Sequence, residues 1–247
     1  MKYFLIALQF LTRIPVRIKG EIQPQDYGRA MVWFPLVGLI LGILLVLGFK
    51  MAILLFPKAV AIILVLIAYA LLTGAIHIDG LADTFDGLGA GETNKEKILE
   101  IMKDGPIGAM GALAISLDII LRFVLLDSLP LIKIPQALLA MVVLGRWAQV
   151  LFALNSTAAK TNSTGGYFSR SLTPAIFILA TIIMLLISIF ILKPLSLLFI
   201  LFFILLIVLS AKNYFKRKIG GITGDTIGAA NEITEISVLL WMSTAGI

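Results

Sequence analysis

The stretch "AVAIILVLIAYALLTGAIHIDGLADTFDGLGAG" (59–91) decides the fold. Its first part, residues 59–76, is an uncharged apolar run close to the roughly 20 residues that cross a hydrocarbon core as a helix. The second part, "HIDGLADTFDGLGAG" (77–91), places Asp79, Asp83 and Asp86 at i, i+4 and i+7. At roughly 100° per residue these fall within about 60° of one another on one helix face. Like charges at that spacing repel, so the pattern predicts something positive beside them.

The rest of the chain agrees with a membrane setting. Of 247 residues, 60% are hydrophobic and 14% charged, and mean hydropathy is +1.06. A soluble domain carries about 25% charged residues. The apolar runs are near helix-spanning length, not the alternating segments of a barrel. The reading is therefore an all-α polytopic membrane protein of the cell (inner) membrane. Cysteine is absent and histidine occurs once, which excludes disulfides, thiolate metal sites and multi-histidine sites. The net charge of +6 is read as loop charge beside lipid, not as a nucleic-acid footprint. "MKYFLIALQFLTRIPVRIKG" (1–20) has a short apolar core and no cleavage signal, so it reads as an interfacial amphipathic segment.

Seven spans are expected, near 30–49, 59–76, 105–126, 134–154, 174–192, 194–210 and 225–247, in one bundle and one domain (1–247). The last is the weakest, because Asn231, Glu232 and Glu235 interrupt it. With residues 1–29 in the cytoplasm, 14 of the 20 Lys and Arg residues fall on the cytoplasmic side and 4 in outer turns. That bias predicts a cytoplasmic N-terminus and cytoplasmic loops 77–104, 155–173 and 211–224. The aspartate triple then faces the cytoplasm.

Carboxylates converging at a membrane surface, without Cys or paired His, suit a hard cation such as Mg²⁺ or Mn²⁺. Gly80 and Gly87 would let a phosphate approach the backbone. A solvated helix end with scattered acids is the plainer alternative. A second acidic set lies in "GGITGDTIGAANEITEISVLL" (220–240), where Asp225 and Glu232 share a face at i, i+7. Gly224 and Thr226 flank a helix start whose free N–H groups could hold an anion; a simple N-cap at Asp225 reads equally well. Lys103, before Asp104 and "GPIGAMGALA" (105–114), could neutralise a phosphate or merely flank a span. Asp118 and Arg122, at i, i+4, predict an intrahelical ion pair. Arg146 lies inside a span, about 12 Å from its cytoplasmic end by helix rise, and is a functional candidate on that ground. His77 could be an outer ligand, a base or a packed interfacial residue.

In this sequence "ALQFLTRIPV" (7–16), "WFPLVGLILG" (33–42), "HIDGLADTFDGL" (77–88), "ILEIMKDGPIGAMGALA" (98–114) and "IGGITGDTIGAANEITE" (219–235) occur in order. Together they resemble the cobalamin synthase family over nearly the whole chain. The pattern H-x-D-G-x-A-D-x-x-D-G is present as His77, Asp79, Gly80, Ala82, Asp83, Asp86 and Gly87. G-D-T-x-G-A-x-x-E is present as Gly224, Asp225, Thr226, Gly228, Ala229 and Glu232. Gly105 and Pro106 depart from the serine and basic residue often found there, which removes side-chain anion binding at those two positions.

The resemblance implies transfer from adenosylcobinamide-GDP to α-ribazole or its 5′-phosphate, with Mg²⁺ and release of GMP. It implies metal ligation by Asp79, Asp83, Asp86, Asp225 and Glu232. Asp86, Asp83 or His77 would serve in proton transfer, and Gly80, Gly87, Lys103, Arg146, Gly224 and Thr226 in substrate binding. The basic stretch Lys212–Lys218 would meet the guanosine diphosphate end or lipid headgroups. Membrane lipid is an expected partner, and a homo-oligomer is compatible with the class. A CDP-alcohol phosphotransferase is the rival enzyme, but its arginine signature is missing here. A divalent-cation transporter is the rival of another class.

Overall fold

A computed structural model describes residues 1–103, 105–160 and 164–244. Asp104, part of the 155–173 loop and the last three residues of the expected final span lie outside them. Among the described residues the chain is helical, without strands. It runs α1 (Lys2–Leu11), α2 (Pro24–Ala30), α3 (Phe34–Ala52), α4 (Lys58–Thr73), α5 (Ile76–Gly89), α6 (Lys95–Ile101), α7 (Ala109–Ser128), α8 (Ile134–Ala153), α9 (Thr164–Ser171), α10 (Pro174–Ser188), α11 (Pro194–Ile219) and α12 (Gly224–Thr244).

Four helical segments are long and apolar enough to cross a membrane: Pro24–Ala52, Ala109–Ser128, Leu131–Ala153 and Pro194–Ile219. Two bent pairs, α4 with α5 and α9 with α10, raise the number to six if each is one span. The count of seven is not confirmed: α4 and α10 count as spans only together with their bent partners, and α12 does not qualify. α4 and α10 have only 16 and 15 residues. α12 is interrupted by Asn231, Glu232 and Glu235, which turn inward and are buried.

α8 is the axis of the bundle. Its apolar window is 89% buried, against 28% for α11, whose Leu198, Phe202 and Leu206 are exposed, a surface that suits lipid. α3 reaches α8 through Gly38 and Gly42. A Cβ at Gly38 would lie 2.9 Å from the Val142 carbonyl, and one at Gly42 would lie 3.2 Å from the Leu139 Cα. This small-xxx-small spacing brings two helix backbones together without a hydrophobic driving force.

The decisive local feature is the turn between α4 and α5. Gly74 (φ 64°) and Ala75 (φ 55°) both take left-handed conformations, and the helix axis swings by 87°. A Cβ at Gly74 would also sit 2.1 Å from the Arg13 Nε, and the Arg13 N–H donates to the Leu72 carbonyl (2.7 Å). Glycine is the residue that tolerates both demands. Ala75 carries the strain of an L-residue in that region, about 1–2 kcal/mol. The bend turns α5, with its aspartates, out of the line of α4.

Candidate active site

α5 and α12 cross at glycines. A Cβ on Gly80 would lie 2.9 Å from the Asp225 carbonyl, and one on Gly228 would lie 3.3 Å from the His77 Cα. The two acidic motifs, about 140 residues apart in sequence, are thus held in backbone contact. Beside the crossing lies a cavity of about 130 Å³ whose wall includes Asp79, Asp225, Gln149, Phe10 and Phe168. α9 covers it: Gly165 packs on the Thr223–Gly224 backbone, and the Phe168 ring meets the Phe10 ring edge-on at 5.0 Å.

The carboxylates divide by what engages them. Among the described residues no side-chain hydrogen bond or ion pair is formed by Asp79 or Asp83, and Asp225 receives the Thr223 hydroxyl (3.2 Å) and its own backbone N–H. The Lys103 ammonium lies within electrostatic range of Asp225. The carboxyl of Asp83 is pushed up to about 6, first by burial and then by the charges of Asp79, Asp225 and Asp86. Asp79 and Asp83, with Asp225 in the field of Lys103, offer the oxygen donors that a hard divalent cation prefers. Among the described residues no group of three or more acids or histidines is close enough to hold an ion by itself. A cation here would lean on water and substrate oxygens for the rest of its ligands, as Mg²⁺ commonly does.

Several expected site residues are engaged elsewhere. Asp86 accepts the Gly108 N–H (2.8 Å) and the Gly111 N–H (2.7 Å), so both its oxygens cap the start of α7 and it is poorly placed as the base. Gly80 and Gly87 do not open onto a phosphate, because Gly80 holds the Asp225 backbone and Gly87 lies against Met102 and the Ile98 carbonyl. Thr226 is fully buried and exchanges hydrogen bonds with Thr223 across the first turn of α12, a capping arrangement. Gly224 stays on the cavity wall, and Lys103 is exposed.

Glu232 and Arg146 belong to a buried network deeper in the bundle, not to the aspartate cluster. Arg122 donates from Nε to Asp118 (2.7 Å), from one terminal nitrogen to Glu232 (2.5 Å) and from the other to Glu235 (2.6 Å). The expected Asp118–Arg122 pair is therefore one part of a larger cluster. Arg146 donates to Asn231, to Glu235 (3.3 Å) and to the Tyr69 hydroxyl (3.1 Å). Tyr69 in turn donates to Glu235 (2.6 Å). Arg146 is buried, and its two terminal nitrogens are taken up by Asn231, Glu235 and Tyr69. Gly145 makes room for this cluster, since a Cβ there would lie 2.7 Å from the Glu235 side chain.

His77 connects the network to the cavity. Gln149 Nε2 donates to Asn231 Oδ1 (3.0 Å) and faces His77 Nε2 at 2.8 Å. Arg146 fixes which end of Asn231 is the oxygen, and Asn231 then fixes Gln149. His77 Nε2 must accept, so its proton sits on Nδ1. His77 is buried within this relay and is not free to act as an independent base. Sequence reasoning missed Gln149, Tyr69, Phe10 and Phe168. A polar residue one turn beyond Arg146 in an apolar helix was a signal for Gln149; the aromatic residues carry none, because such side chains are ordinary in membrane helices.

The geometry can be set beside known proteins. No solved structure matches the chain. The adenosylcobinamide-GDP ribazoletransferase of Clostridium tetani (strain Massachusetts / E88) is 35% identical over 97% of this chain and 96% of its own. Those of Acetivibrio thermocellus and Clostridium novyi (strain NT) are 36% and 38% identical over 97% of this chain and 96% of theirs. The family described as cobalamin-5-phosphate synthase matches residues 3–243. With its two acidic motifs meeting across α5 and α12, the chain belongs to the cobalamin-5-phosphate synthase family, and it is a transferase.

Proposed function

We propose that the protein joins adenosylcobinamide-GDP to α-ribazole, or to its 5′-phosphate, and releases GMP. The observation that carries this reading is that Asp79 and Asp225, from two separate motifs, share the wall of a small cavity, with Asp83 within electrostatic range of both. A ribose hydroxyl attacks the cobinamide-linked phosphorus. The new O–P bond forms as the diphosphate P–O bond breaks, and GMP leaves with the bridging oxygen. Without a cation, burial and the charges of Asp79, Asp225 and Asp86 push the Asp83 carboxyl up to about 6; with a cation bound it would return to the ionised, ligating form. Asp79, Asp83 and Asp225 would hold Mg²⁺, which when bound supplies neutralisation of the phosphoryl oxygens and the leaving group. Lys103 adds positive charge at the same edge.

The reading also takes the chain as one membrane domain with its N-terminus, and the aspartate site, on the cytoplasmic side. The bias of Lys and Arg toward that side supports it. The test is incubation of the detergent-purified protein with adenosylcobinamide-GDP, α-ribazole and Mg²⁺, following the corrinoid product and GMP together. Asp79→Asn should cut turnover by at least 100-fold while the protein stays folded. Equal turnover in wild type and Asp79→Asn at limiting Mg²⁺ would rule the site out.

A further inference from the structure

We propose that the cavity between α1, α5, α8, α9 and α12 is the seat of the acceptor nucleoside's ribose, and that Gln149 Oε1 accepts one of its hydroxyls. The inference rests on the reaction proposed above. Its starting point is an orphan atom. Gln149 is 0% exposed, and its Oε1 has no hydrogen-bond partner among the described residues. A buried acceptor left unmade costs about 1–3 kcal/mol, and buried polar groups without partners are few in native structures. The amide cannot turn over to relieve the cost. Its nitrogen is committed to Asn231 Oδ1 and His77 Nε2, so the oxygen is the end of the amide left for an occupant of the cavity, whose wall includes Gln149.

The chemistry of the wall selects the occupant. Gln149 Oε1 is an acceptor, and Asp79 and Asp225, with the cation they would hold, form the other edge. The guest must therefore bring a donor for Gln149 and an oxygen that can meet the cation edge; sugar hydroxyls do both. Phe10 and Phe168 offer apolar ring surface on another side. A sugar bearing hydroxyls on one edge and C–H groups on a face meets both. At about 130 Å³ the space suits one ring and excludes a corrinoid. Position separates the ribose from guanine, which also carries N–H donors. The attacking hydroxyl must lie beside the reacting phosphorus, and hence beside the aspartates. Guanine stands one phosphate and one sugar further away. One ribose hydroxyl would then be held by Gln149 while another faces phosphorus, an orientation effect of the kind that raises effective concentration.

The experiment measures α-ribazole binding to the purified protein by calorimetry, without the corrinoid substrate. The KM for α-ribazole in turnover reads the same pocket if binding alone is too weak. Gln149→Met should weaken α-ribazole about tenfold, in line with loss of one buried hydrogen bond, and leave the KM for adenosylcobinamide-GDP unchanged. A monodeoxy-α-ribazole lacking the held hydroxyl should lose a similar factor on wild type and nothing further on Gln149→Met. Phe10→Trp, which fills the cavity without touching the relay, should weaken α-ribazole in the same way and serves if Gln149→Met does not fold. Unchanged α-ribazole affinity in both variants overturns the proposal. So does a KM change confined to adenosylcobinamide-GDP, which would assign the cavity to the donor. Absence of GMP release by wild type, with α-ribazole still bound and weakened by the variants, would instead sink the reaction and leave the ribose site standing.

Discussion

Replacing Arg122 by methionine removes the one side chain that ties Asp118, Glu232 and Glu235 together. Arg122 Nε and both terminal nitrogens make contacts of 2.5–2.7 Å to these acids, and all four side chains are at most 3% exposed. Methionine keeps much of the length and packing but leaves Arg146, which among these acids reaches only Glu235 (3.3 Å), as the cation beside the three carboxylates among the described residues. Breaking a buried ion pair by removing one partner costs about 3–5 kcal/mol. With three acids stranded, the upper end applies. At roughly 2–4 °C per kcal/mol for a chain of this size, Tm should fall by about 10–20 °C. The assay is thermal unfolding in detergent followed by tryptophan fluorescence, since the chain holds three tryptophans. Glu232→Gln is the matched control. It keeps an oxygen for Arg122 and removes the surplus of three carboxylates over two guanidiniums, but turns its NH₂ toward Asn231 Nδ2, which donates to Glu232 (2.8 Å), so its Tm should fall less than half as far as that of Arg122→Met. Adding Asp118→Asn and Glu232→Gln to Arg122→Met should recover at least half the loss. An Arg122→Met protein that melts with wild type would show that water reaches these carboxylates and that the cluster is not a sealed interior.

Other outcomes follow from single contacts. Asp86→Ala should destabilise the protein by about 1–2 kcal/mol, the usual cost of a lost helix cap, whereas Asp86→Asn keeps one acceptor and should cost less in the same melt. For Asp83, the folded proton affinity (about 6) exceeds the ordinary carboxylate value of 3.8, so folding favours the protonated form and metal-free protein should lose stability as pH rises from about 4 to 6. In EDTA, Asp83→Asn should therefore melt above wild type at pH 8 and beside it at pH 4, and added Mg²⁺ should raise the wild-type Tm more than the variant's. Cysteines placed at Asn94 and Asn213, in a chain with no native cysteine, should resist a membrane-impermeant thiol reagent in intact cells; labelling of both from outside would reverse the orientation.

The sequence by itself determined the helical class and located the two acidic motifs. Apolar runs near the thickness of a bilayer force helices, because backbone polar groups in lipid must be satisfied within the segment. The periodic aspartates of 79–86 and the Gly-Asp-Thr start of α12 were legible because helix spacing alone puts such groups on one face. The tertiary structure decided which acids do what. Asp79 and Asp86 are identical in type and share a predicted face, yet one lines the cavity and the other caps α7, since Gly108 and Gly111 come from 22 and 25 residues away to claim it. Glu232 looked like a partner of Asp225 at i+7. About 10 Å of helix rise separates them, and Arg122 from another helix holds it in the interior. Gln149 stood out only as a polar residue in an apolar helix; its role depends on which of its two ends is occupied. That is settled by Asn231 and Arg146, residues that meet only when α8 and α12 pack through Gly145. Local periodicity fixes the direction of a side chain; the partner waiting there is set by chain crossings that the sequence does not spell out.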